Sequence, residues 1–71
     1  MAWIVEIQGY AVRAEAVARL APVEETERGF EFTAFSASGF VLLRATSSRQ
    51  KEDVETLARH REQLLQAMRG P

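Results

Sequence analysis

The chain contains no cysteine. No disulfide can staple it, and no thiolate can hold zinc. Histidine occurs once, as His60, so an imidazole-based metal staple has almost no material to work with. Lysine also occurs once, as Lys51; the rest of the nine basic residues are arginines, and ten acids leave a net charge of −1. That balance is not the electrostatic footprint of a nucleic-acid binder. Arginine is the better residue for planar, two-pronged contacts, although a GC-rich coding sequence also favours Arg and Ala. No segment approaches the ~18 consecutive apolar residues of a membrane span. The opening MAWIVEIQGY has no basic n-region, and Glu6 interrupts its apolar run, so a signal peptide is not expected. These features point to the cytoplasm. The four glycines are scattered at 9, 29, 39 and 70, which excludes a glycine-rich phosphate loop.

Seventy-one residues make one small domain, 1–71, with a modest core. Ordering costs roughly 1.5 kcal/mol per residue and apolar burial nearly cancels it, so chains of this size often lean on self-association or a partner surface.

What is present is β-rich. Residues 30–46 read FEFTAFSASGFVLLRAT, two aromatic and β-branched runs around Ser38-Gly39. This predicts a hairpin with strands at about 30–37 and 40–46. A two-residue turn there sets Phe35 opposite Leu42, Ala34 opposite Leu43, Thr33 opposite Arg44 and Phe32 opposite Ala45. Alternation then gives an apolar face of Phe30, Phe32, Ala34, Val41, Leu43 and Ala45, which should meet the core. The other face has a charged end at Glu31 and Arg44 and an apolar end at Phe35, Phe40 and Leu42. A one-residue slip would exchange the faces.

An earlier hairpin is expected over 3–8 and 10–13, turning at Gln8-Gly9, with Trp3, Val5, Ile7, Tyr10 and Val12 on its apolar face. Residues 14–21 admit two readings. One is a short Ala-rich helix ended by Pro22. The other, which we favour, is a helical turn near 14–17 and then a strand over 18–23, with Pro22 at an edge or bulge. Residues 24–29 (EETERG) read as a polar loop, in which Gly29 helps the chain re-enter the sheet. Its carboxylates lack the ordered spacing of a calcium loop.

The last element is a helix over about 49–69. Ser47 or Ser48 can cap it, with Gln50 three past Ser47, and acids at 52, 53 and 55 suit its first turns. Val54, Leu57, Ala58, Leu64, Leu65 and Met68 fill one arc of it, with Arg61 near the centre. Glu55 and Arg59 stand in the favourable order for an ion pair. Arg61 either snorkels, its stem on apolar surface, or makes an oriented contact with a carboxylate or backbone carbonyls.

The fold expected is α+β: an antiparallel meander of four or five strands in sequence order, with one C-terminal helix packed across one face. No nucleophile, base and orienting group can be assembled, so no catalytic, cofactor or metal residue is assigned and an enzyme is not expected. If the helix covers one face, the apolar part of the other is left for a partner. The interface candidates are Ile4, Phe35, Phe40, Leu42, Arg44 and Arg61. The expected function is a small protein–protein interaction module, an inhibitor or adaptor of the kind phages encode against host systems, anti-CRISPR proteins among them. The partner is another protein or an identical copy in a homodimer. A structural homo-oligomer subunit is the rival. A single-stranded nucleic-acid binder, stacking bases on Phe35 and Phe40 beside Arg44 and Arg13, ranks below both.

Overall fold

The computed structural model describes residues 4–70; the expected contribution of Trp3 to the first strand lies outside them. The chain runs β1 (Ile4–Ile7), β2 (Tyr10–Arg13), a 3₁₀ turn (Ala14–Ala16), β3 (Arg19–Leu20), β4 (Glu24–Thr26), β5 (Gly29–Phe35), β6 (Val41–Ser47) and α1 (Lys51–Met68). The α+β architecture is as expected, with antiparallel strands and one C-terminal helix packed on them.

The strand order departs from an uninterrupted meander. Among the described residues β1 pairs only with β2, as one sheet, while β5 lies between β6 on one side and β3 and β4 on the other. The 3₁₀ turn is the reason. It carries the chain away from β2, so β3 joins the far edge of β5 rather than continuing the first hairpin. The second of the two readings of 14–21 therefore holds, and the strand it begins is broken. Leu20 pairs with Ala34 and Glu24 with Glu31, so residues 21–23 span a stretch that takes only 32 and 33 on β5. Pro22 sits in this one-residue bulge, where its missing N–H costs no ladder bond.

Residues 24–29, expected as a loop, instead form β4 and a tight turn, with Thr26 opposite Gly29. Thr26 Oγ1 accepts from the N–H groups of Arg28 and Gly29 at 3.3 and 3.1 Å. Gly29 passes so close to the end of β6 that a Cβ on it would lie 2.0 Å from the Ser47 carbonyl oxygen.

The central hairpin keeps the expected pairs Ala34–Leu43, Thr33–Arg44 and Phe32–Ala45, but Phe35 faces Val41 rather than Leu42. The loop holds three residues, not two. Ser36 N–H donates to the Phe40 carbonyl at 2.8 Å and Gly39 N–H to the Ser36 carbonyl at 3.0 Å, with Gly39 at φ 89°. A two-residue turn would ask Ser38 for a positive φ as well; the three-residue loop asks it only of Gly39. The extra loop residue is absorbed by a bulge next to Phe35. Val41, expected in the core, consequently moves to the outer face.

The core holds Val5, Ile7, Val12, Ala14, Val17, Phe32, Ala34, Leu43, Ala45, Leu57 and Leu64. Phe30 is half-buried, and Tyr10, expected beside Val12, is exposed next to its turn. On α1, Leu57 and Leu64 are buried and Val54, Leu65 and Met68 half-buried, but Ala58 is exposed at the margin of the arc. The N-cap is Gln50, without a side-chain cap, so the Ser47–Gln50 capping box does not form. Instead the Ser48 hydroxyl accepts from Gln50 N–H at 3.2 Å and donates to the Asp53 carboxylate. Glu55 lies 4.0 Å from Lys51, one turn back, rather than pairing with Arg59.

Candidate docking face

The helix covers one face of the strands, and the opposite face can be read row by row from the register. Ile4 is opposite Arg13 on β1 and β2. Arg13 and Leu42 line one shallow cleft with Ala11, Val12 and Ala16, which brings β2 beside the bulged part of β6. Val41 is opposite Phe35, and Phe35 is opposite Arg19. A continuous band thus crosses the outer face: Ile4, Arg13, Leu42 with Val41, Phe35, Arg19. Arg44 lies in the next row, opposite Thr33. Phe40 stands at the loop beyond Val41.

The apolar members are wet. Phe40 is 72% exposed, Ile4 61%, Val41 50% and Leu42 39%. Phe35 is half-buried because the Arg19 guanidinium lies over its ring, 4.1 Å from the centroid. Among the described residues the ion pairs are Arg49–Glu25 and Lys51–Glu55. Arg13, Arg19 and Arg44 take part in neither.

The other end of the same face is acidic. Glu24 and Glu31 are directly opposite each other, and Thr46 follows on β6. Like charges so placed destabilise a sheet slightly. The outer face therefore runs from basic and apolar at the Phe35 end to acidic at the Glu31 end.

Five of the six interface candidates, Ile4, Phe35, Phe40, Leu42 and Arg44, belong to this outer surface. Arg61 does not. Half-buried on α1, it donates from Nε to the Ala21 carbonyl at 2.8 Å, so it takes the oriented contact with backbone. The bulge at Pro22 leaves that carbonyl without a ladder partner, and the helix supplies one.

Two members were not legible in advance. Val41 was hidden by the loop length. Arg19 was hidden because its register depends on the Thr26–Gly29 turn; pairing outward from that turn, with one bulged residue at Pro22, would have set Arg19 opposite Phe35.

Elsewhere, the Gln8 side chain reaches the β6 backbone: Nε2 donates to the Thr46 carbonyl at 2.6 Å, and Thr46 N–H donates to Oε1 at 3.2 Å. His60 Nδ1 is buried without a hydrogen-bond partner among the described residues. Among those residues no three His, Cys, Asp or Glu side chains come together as a metal site, and no helix is long and apolar enough to cross a membrane. Compared with protein-family models, curated proteins and solved structures, the chain matches none of them.

Proposed function

We propose that the protein is a non-enzymatic protein-binding module that docks through its outer strand face. The observation that carries this reading is the exposed run Phe40, Val41 and Leu42, consecutive in the chain at the start of β6, with exposed Ile4 beyond Arg13 in the same band. Contiguous exposed apolar area on so small a chain is the usual mark of an interface. An inhibitor or adaptor fits, since such a protein needs a shaped surface and no reacting groups, and a cysteine-free sequence suits work in the reducing cytoplasm.

The test is a Phe40→Ser/Leu42→Ser double variant. Both side chains are solvent-facing, so the fold should survive, checked by far-UV circular dichroism and thermal melting. Affinity capture from the source cell with chemical crosslinking should then yield a protein held by the wild type through this face and lost from the double variant. Equal capture by both would sink the reading.

A second reading, the homo-oligomer, is favoured by a different feature. Among the described residues β1 pairs on one side only, and it borders a groove of about 550 Å³ lined by Ile4, Val5, Glu6, Gln63, Gln66, Ala67 and Gly70. An open strand edge is a template for pairing with a second copy. Sizing chromatography separates the two: the docking module elutes as a monomer, the assembly subunit as an oligomer that persists on dilution.

A further inference from the structure

We propose that the partner segment is acidic, with apolar side chains interleaved among its carboxylates. This rests on the docking reading above. The face contributes three arginines, Arg13, Arg19 and Arg44, that form no ion pair among the described residues. No ion pair joins Glu6, Glu15 or Glu24 to them, and although Glu31 lies only one row beyond Arg44, diagonally across β5 and β6, it forms no ion pair with it either. The arginines alternate with the apolar residues along the band: Ile4, Arg13, Leu42 and Val41, Phe35, Arg19. A ligand that covers such a band must bury aliphatic groups and meet guanidinium groups within the same few ångströms. Arg19 is pre-set for this. Its guanidinium lies over the Phe35 ring, which holds it in place on a platform while leaving its N–H edges free for a carboxylate.

The same pattern speaks against the other occupants. A second copy docking patch to patch would set arginines against arginines, and like charges across an interface disfavour it. A base stacking on Phe35 would have to displace Arg19, and Val41, Leu42 and Ile4 offer no aromatic platform.

The test is selection of a random-peptide phage library on the intact chain, followed by NMR titration of the labelled chain with the enriched peptides. The expected peptides interleave Asp or Glu with Leu, Ile or Phe and shift the amides of Arg13, Arg19, Val41 and Arg44. Their affinity falls about tenfold or more in an R13Q/R19Q/R44Q variant. It falls in the same direction for the wild type as salt rises, which reads the same charges should the triple variant fail to fold. Neutral or basic peptides that map to these amides would overturn the acidic partner and keep the docking face. Absence of enrichment, or shifts confined to other surfaces, would overturn both. Oligo(dT), added as competitor, should leave the peptides bound; displacement by it would replace the protein partner with nucleic acid.

Discussion

Gln8 is the one non-glycine residue with a positive φ among the described residues, at 52°, in a turn where Asn or Gly is the usual choice. Its long amide explains the choice: it supplies both a donor and an acceptor to Thr46, as another strand's peptide group would. Gln8→Ala keeps the strained backbone and removes the bridge, and should lower stability by about 1–2 kcal/mol in urea titration. Gln8→Asn suits the turn better but is one methylene short of Thr46, so it should not exceed the wild type. Gly29 is held more tightly. Its φ of 154° disfavours a side chain, and a Cβ would collide with the backbone of Ser47 rather than with a movable side chain. Gly29→Ala should cost about 3 kcal/mol by the same measurement. Arg61 is subtler. Arg61→Leu preserves apolar cover but strands the Ala21 carbonyl, part-buried at the bulge. A loss of about 1–2 kcal/mol is expected; a gain in stability would show that the contact contributes nothing.

Among the elements, the central hairpin shows how narrowly one register wins. The two registers leave Ala34–Leu43 unchanged; they differ in whether Leu42 or Val41 stands opposite Phe35 and in whether Val41 points inward or outward. Ser38→Asn creates the dipeptide that most favours a two-residue hairpin turn. It should pull Leu42 opposite Phe35, visible as a cross-strand NOE between those two side chains in place of one between Phe35 and Val41. The helix and both hairpins were legible because their periodicities are strong: Leu57 and Leu64 on one stripe, Phe32 and Ala34 on one side of a strand. β4 was not, because glutamates have low strand propensity and the pairing is made by backbone beside the better-patterned β5. The outer face was read as apolar at one end with Arg44 and Arg13 beside it, but Arg19 was missed, because its place opposite Phe35 depends on the β4–β5 turn and the bulge at Pro22.

At the scale of the whole molecule, one small core joins two sheets and a helix. Such a core rarely supplies more than about 3–5 kcal/mol, and truncating a fully buried leucine costs roughly 2–5 kcal/mol. Leu64 is 0% exposed and its helix contacts β1, β5 and β6. Leu64→Ala should therefore leave most molecules unfolded at room temperature, with no cooperative melting transition by circular dichroism. The helix comes after every strand along the chain. During synthesis the inner side of the strands, Phe32 and Ile7 included, therefore waits bare until the helix has left the ribosome. A nascent chain halted near residue 50 would be an aggregating species or a client for chaperones, because the helix that covers Phe32 and Ile7 has yet to be made.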